Sequence, residues 1–221
     1  MGAVIYVDTR QQAGKHENKN EWWALHGVST FRCTLDFGDY QTGKSNISVD
    51  TKRNIDEIAQ NINGKQHDRF KRECQRAAAA GYRLIILVEN SDGIMNLDGL
   101  RKWTNTHCRY CVHFKEHQCD PDASGEKCHK HGTRKPIQGE RLAKAMQTMS
   151  DRYGVIFDFC DPSETAKKIC LLLGVDYKAL CADCFRFKDG MCLAACGMQL
   201  IEGAPVPVDG SKEMCDRGCP F

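Results

Sequence analysis

The stretch from Gly38 to Asp56 reads GDYQTGKSNISVDTKRNID, and it decides how the rest of the sequence is interpreted. Asp39 closes a turn, and the alternation of apolar and polar residues at 47–50 predicts a β-strand. Because side chains two apart share one face of a strand, we expect Asp50 and Lys52 to lie side by side. Carboxylates that hold a divalent cation, with a lysine that orients water, are suited to phosphodiester hydrolysis. We therefore predict a nuclease site on this strand.

Apolar runs on either side of this stretch predict an α/β chain. Asp8 ends a predicted strand at residues 3–8, and Glu89 ends a buried strand at residues 84–89. Acidic residues at strand ends lie where α/β proteins commonly bind ligands. A polar loop is expected at residues 11–20. The other predicted elements are a short helix at 22–25, a strand at 30–35, helices at 54–62, 67–80, 139–152 and 162–173, and a strand at 154–159.

The order Val7-Asp8-Thr9-Arg10, then Gly38-Asp39, then Asp50-Thr51-Lys52 resembles the XPF-type structure-specific endonucleases, a branch of the PD-(D/E)XK nuclease superfamily. That family has Glu-Arg-Lys where this chain has Asp50-Thr51-Lys52, and usually has Glu where this chain has Gln11. The resemblance implies a restriction-endonuclease-like mixed sheet flanked by helices, formed by residues 1–175.

The resemblance also implies roles for four side chains. Asp39 and Asp50 are expected to bind Mg or Mn, Asp8 to help through the metal or its water shell, and Lys52 to position or activate the attacking water. The implied substrate is branched DNA, such as a flap, fork or junction, in phage or bacterial repair or recombination. A homodimer or heterodimer is expected. A catalytically inactive DNA-binding scaffold and a zinc-dependent nucleic-acid or protein adaptor are the alternatives.

Arginines on the helix at 67–80 are candidates for contact with the DNA backbone. Arg69, Arg72 and Arg76 are spaced three and four apart, and Arg53 directly follows Lys52. Such a row could bind phosphates, although a solvated helix face is the more common interpretation. The formal net charge is only +2, so nucleic-acid binding would depend on local patches of this kind.

Ten of the 14 cysteines form two clusters that repeat the pattern Cys-x-x-Cys-x-x-Phe-Lys-x-x-x-Cys. Such spacing is typical of tetrahedral zinc sites, so we predict two structural zinc ions. The predicted ligands are Cys108, Cys111, Cys119 and Cys128 in the first module, and Cys181, Cys184, Cys192 and Cys215 in the second.

Several alternatives stay open for these clusters. Iron–sulfur clusters use the same ligands, and disulfides would be expected in a secreted protein. A histidine could replace Cys128, and Cys196 or Cys219 could replace Cys215. The candidate histidines are His107, His113, His117, His129 and His131.

These modules divide the chain into a nuclease domain at residues 1–175, interrupted by a zinc module at 103–134, and a C-terminal zinc module at 176–221. The longest purely apolar run, Leu84 to Val88, is too short to cross a membrane, so no membrane partner is expected. The first residues enter a strand without the pattern of a signal peptide. We therefore expect a cytoplasmic protein that is associated with the nucleoid when bound to DNA.

Overall fold

The structure is a computed structural model that describes residues 4–11, 17–119, 127–128, 135–178 and 180, and the backbone of four short strands within 187–206. Six strands form one mixed sheet in the order β2-β1-β3-β4-β5-β6. The strands are β1 (Val4–Asp8), β2 (Ser29–Cys33), β3 (Tyr40–Thr42), β4 (Ile47–Lys52), β5 (Arg83–Glu89) and β6 (Ile156–Cys160).

Strand direction explains why acidic residues meet at one edge of this sheet. All neighbouring strands are parallel except β3, which runs antiparallel to both β1 and β4. Asp8 ends β1 and Lys52 ends β4, whereas Asp39 directly precedes β3. Because β3 runs in the opposite direction, its start, and with it Asp39, lies at the end of the sheet where β1 and β4 finish.

Helices cover both faces of the sheet, so the protein has a mixed α/β architecture with two apolar layers. On one face, α2, α3, α4 and α7 enclose a core that includes Ile86 and Met146; on the other, α1 and α8 enclose Val49 and Ile169. The helices are α1 (Glu17–Leu25), α2 (Ile55–Asn63), α3 (His67–Ala79), α4 (Leu97–Arg101), α5 (Thr106–Arg109), α6 (Val112–Lys115), α7 (Gly139–Tyr153) and α8 (Thr165–Leu173).

Local capping places α2 directly behind the predicted catalytic strand. The Asn54 side chain accepts a hydrogen bond from the Glu57 backbone N–H at 2.8 Å, which satisfies one of the free donors at the helix start. The apolar residues at 55, 58, 59 and 62 are all buried. Because α2 is fixed at both its cap and its apolar face, the chain turns away from the sheet immediately after Lys52.

Most predicted elements are confirmed, and two expectations were wrong. Residues 11–20 were expected to be a loop, but α1 begins at Glu17 and buries Trp23 against α8. No strand was expected between the turn at Asp39 and the strand that carries Asp50, but the short strand β3 lies between them. All three residues of β3 are buried between β1 and β4, so it depends on tertiary pairing rather than on local alternation.

The two cysteine modules are described to different extents. Helices α5 and α6 belong to the first module, and its residues 120–126 and 129–134 lie outside the described residues. The second module contains two antiparallel strand pairs, β7 (Phe187–Lys188) with β8 (Met191–Cys192) and β9 (Gln199–Ile201) with β10 (Ala204–Val206). No helix in the described part of the chain is long and apolar enough to cross a membrane.

Candidate active site

One cleft of about 330 Å³ at the edge of the sheet is lined by all four residues that the sequence singled out as catalytic. These are Asp8, Asp39, Asp50 and Lys52. A larger cavity of about 890 Å³ lies beside α4 and the first cysteine module. Its one lining carboxylate, Asp92, is paired with Arg109. The smaller cleft is therefore the candidate active site.

Asp50 and Lys52 form a buried ion pair at the end of β4. Lys52 Nζ donates to Asp50 Oδ1 at 2.9 Å and to Oδ2 at 2.6 Å, and the two side chains are only 11% and 7% exposed for Lys52 and Asp50 respectively. This confirms that the two residues share a strand face. The pair leaves Asp50 neutralised by a cation of the protein itself.

Burial and neighbouring charges act on the pKa values of this pair. Burial raises the pKa of Asp50 to about 7; Lys52 opposes this shift, while Asp39 and Glu73 add to it. Burial alone would lower the pKa of Lys52, but the charges of Asp50, Asp39 and Glu73 outweigh it and raise that pKa. Lys52 therefore remains protonated, and the ionised form of Asp50 depends on a nearby cation.

Asp39 is held by a tight turn and by β4. Gly38 adopts a φ of 67°, and a Cβ there would lie 2.3 Å from Ser48 Oγ, so the turn requires glycine. The Asp39 backbone N–H donates to the Val49 carbonyl at 2.7 Å. Asp39 Oδ2 accepts two hydrogen bonds from Thr51, from the backbone N–H at 2.8 Å and from Oγ1 at 2.6 Å. The carboxylate is thereby fixed against β4.

Asp8 is paired with an arginine of its own loop. Arg10 Nε donates to Asp8 Oδ2 at 2.7 Å, and the Arg10 backbone N–H donates to Oδ1 at 3.1 Å. The hydrogen bond from Arg10 to Asp8 raises the pKa of Arg10, so that guanidinium stays charged. Asp8 is 3% exposed. Both of its oxygens are therefore already engaged, unlike those of Asp39.

The donor atoms of this cleft fit a magnesium or manganese ion in their chemistry. Mg²⁺ is commonly bound through one or two carboxylates, with water and substrate phosphates completing the shell. Asp39 and Asp50 supply two such carboxylates. In the part of the chain that the structure describes, no group of three or more His, Cys, Asp or Glu is placed to hold a metal ion. Metal binding at this cleft is therefore argued from two ligands, and stays a prediction.

Glu73 on α3 lines the same cleft and was missed by the sequence interpretation. Its Oε1 accepts a hydrogen bond from the Gly38 N–H at 3.3 Å, next to Asp39. Its charge contributes to the raised pKa of Asp50. Glu73 is four residues after Arg69 and three before Arg76, so the helical spacing that grouped those arginines also placed Glu73 on their face.

Two of the four candidate arginines line the cleft and two do not. Arg69 and Arg76 line the cleft, whereas Arg72 is an exposed residue of the same helix that does not line it. The Arg53 side chain is 78% exposed and lies 3.6 Å from Glu57. Arg10, which the sequence interpretation did not select, also lines the cleft. Besides Lys52, the positive charges that line the cleft thus come from α3 and from the loop after β1.

In the first cysteine module, the other three predicted ligands lie close enough to Cys108 to interact with it electrostatically. Cys108, Cys111 and Cys128 are buried, Cys119 is half-buried, and none of the described cysteines is in a disulfide. Burial raises the pKa of Cys108, and Cys119, Cys128 and Cys111 raise it further, against a lowering hydrogen bond from Gln138. These thiols do not form a closed metal shell within the described residues. Zinc in this module stays a prediction.

Three of the four predicted ligands of the second module lie outside the described residues. These three are Cys181, Cys184 and Cys215, and the alternatives Cys196 and Cys219 lie outside the described residues as well. Cys192 belongs to β8, whose backbone alone is described, and pairs with Phe187. Cys192, the third of the predicted ligands, therefore lies in a described pair of antiparallel strands.

Comparison with known proteins finds a structural likeness but no match in sequence. No family model matches this chain, and no curated protein matches it. The solved structure of XPF from Aeropyrum pernix is similar to it, with a TM-score of 0.45 and 20% sequence identity. The match covers 77% of this chain and 63% of that chain, so this chain spans less than two thirds of that structure.

Proposed function

We propose that this protein is a divalent-metal-dependent endonuclease that hydrolyses phosphodiester bonds in DNA. The observation that carries the proposal is the convergence of Asp8, Asp39, Asp50 and Lys52 in one cleft, with Arg69 and Arg76 also lining it. Carboxylates for a cation, a lysine for water and arginines for phosphates are the groups that this reaction requires. The mixed six-stranded sheet flanked by helices suits a restriction-endonuclease-like fold.

Each residue receives a role from its contacts. Asp39 and Asp50 would hold Mg²⁺ or Mn²⁺, and such an ion would polarise the phosphate and lower the pKa of bound water. Lys52, which stays protonated, would position the attacking water. Asp8 would help through the metal or its water shell; like Asp50, it already accepts hydrogen bonds on both oxygens from a cationic residue.

Branched DNA is the proposed substrate, in repair or recombination. Arg69 and Arg76 of α3 contribute positive charge to the cleft, whereas Arg72 of the same helix is exposed and does not line it. Arginine contacts of this kind position the phosphate backbone without reading sequence. Recognition would then follow the shape of the DNA. The cysteine modules, each proposed to bind one zinc ion, would stabilise segments that have little core of their own.

The test is cleavage of end-labelled linear, flap, fork and four-way DNA with magnesium, manganese or a chelator. Cutting should require metal and should be lost in both Asp50→Asn and Lys52→Ala. Asp92→Asn is the matched control, because Asp92 is an ion-paired carboxylate outside the cleft. If the wild type binds branched DNA but cuts none of these substrates with either metal, the enzyme proposal fails. The protein would then be an inactive DNA-binding scaffold.

A further inference from the structure

The backbone at Thr51 has a donor that the sheet does not use. Strand β3 pairs with β4 only from Tyr40 opposite Val49 to Gln41 opposite Ser48. The Val49 carbonyl accepts from the Asp39 N–H on that side of β4. Backbone groups two residues apart in a strand point to the same side, so the Thr51 N–H also points toward β3. No β3 residue is opposite it in the ladder.

The Asp39 carboxylate occupies this position. Its Oδ2 accepts from the Thr51 N–H at 2.8 Å, as a ladder carbonyl would, and from Thr51 Oγ1 at 2.6 Å. Both bonds are made to the same oxygen. Asp39 Oδ1 accepts no hydrogen bond from the residues that the structure describes. One residue thus fixes one oxygen of the carboxylate and leaves the other available.

We infer that Thr51 is a positioning residue that presents Asp39 Oδ1 to the divalent cation of the cleft. The inference rests on the proposed function for the identity of the ligand, and on these two hydrogen bonds for the geometry. A carboxylate that is held in place loses less conformational freedom when it binds an ion. Residues that orient a metal ligand commonly contribute about 10-fold to 100-fold to metal affinity.

Two substitutions separate the hydroxyl from the shape of the side chain. Thr51→Val keeps the β-branched shape and the backbone N–H but removes the Oγ1 donor. Thr51→Ser keeps the hydroxyl. Because the backbone hydrogen bond survives in both, we expect the Mn²⁺ dissociation constant of Thr51→Val to rise by about 10-fold, at the low end of that range. Thr51→Ser should stay close to the wild type.

The first measurement is isothermal titration calorimetry of each full-length protein with Mn²⁺. The second, on the metal-free proteins, is the set of NMR scalar couplings that report the χ1 angle of Asp39. In DNA cleavage, Thr51→Val should need more metal for half-maximal rate, while its rate at saturating metal changes little. Thermal unfolding confirms that the variants are folded. In the metal-free protein, Asp39 should occupy one rotamer in the wild type and in Thr51→Ser, whereas a second rotamer should become detectable in Thr51→Val, which keeps only the backbone hydrogen bond.

The outcomes distinguish this inference from the proposed function. If the wild type binds Mn²⁺ and Thr51→Val binds it equally well, the inference is overturned while the nuclease proposal stands. If the wild type binds no Mn²⁺ and cuts no DNA, the nuclease proposal fails. The couplings then decide alone, and a single Asp39 rotamer in both the wild type and Thr51→Val would overturn the positioning role.

Discussion

Replacing Lys52 with methionine should strongly destabilise the metal-free protein. Lys52 and Asp50 are 11% and 7% exposed at their side chains, and Nζ contacts both carboxylate oxygens at 2.9 and 2.6 Å. Removing one partner of a buried pair typically costs about 3–5 kcal/mol, because the other charge is left without compensation. For a chain of this size each kcal/mol lowers the melting temperature by about 2–4 °C, so a fall of about 6–20 °C is expected.

The loss of stability in Lys52→Met should depend on pH, and the pKa of Asp50 determines the direction of that dependence. Its folded pKa of about 7 lies above that of an unfolded aspartate, about 3.9, so the native state binds more protons between these values. The contribution of Asp50 to stability is therefore greatest at low pH and declines as pH rises through this window. Lys52 opposes the upward shift of that pKa. Without it, the decline should extend to higher pH, and Lys52→Met should be least stable in alkaline buffer.

The assay is urea denaturation followed by circular dichroism, with chelator, at pH values below, at and above 7. It compares Lys52→Met, Asp50→Asn and the double substitution. Asp50→Asn should cost less than Lys52→Met, because Asp39 and Glu73 still favour a charged Lys52. The double substitution should recover most of the loss, because it removes both charges. If the two single effects simply add, the residues are not coupled, and the buried-pair reasoning is refuted.

Two further predictions concern the arginines and the cysteines. Arg69→Gln with Arg76→Gln should make the slope of log K for DNA binding against log salt concentration shallower by about 0.9 for each lost phosphate contact, whereas Arg72→Gln should leave that slope unchanged. Equal effects of all three would contradict a role for the cleft. Cys108→Ser should lower the zinc content by one ion for each chain, whereas Cys33→Ser should leave it unchanged. The zinc content is measured by metal analysis after purification under reducing conditions. A wild type without zinc, or with an iron–sulfur absorption band, would contradict the zinc prediction.

Local patterns predicted the catalytic strand and the helices around it. The alternation before Asp50 and the apolar spacing of α2 and α3 are short-range signals, and the structure confirms them. The pairing of Asp50 with Lys52 follows from the two-residue period of a strand. These features could be predicted because each depends on residues only a few positions apart.

Features that join distant segments could not be predicted in this way. Strand β3 is three residues long and exists because β1 and β4 bury it on both sides. The hydrogen bonds between Thr51 and Asp39 depend on where β3 stops pairing. Glu73 enters the cleft from a helix whose distance from the turn at Gly38 is set by packing. Tertiary geometry, rather than propensity, determines each of them.

The charges of the cleft explain why cation and DNA binding should be coupled. Arg10 neutralises Asp8, and Lys52 neutralises Asp50. Asp39 and Glu73 receive hydrogen bonds only from neutral donors among the described residues. Neither has an ion-pair partner among the described residues, so their negative charge favours a cation and repels a phosphate.

In the proposed complex, Arg69 and Arg76 would attract the phosphate backbone to the same cleft from α3, the helix that carries Glu73. A phosphate is therefore attracted by the arginines and repelled by the two carboxylates until those carboxylates are compensated. The arrangement favours a DNA chain and a cation that enter together, each reducing the electrostatic cost of binding the other.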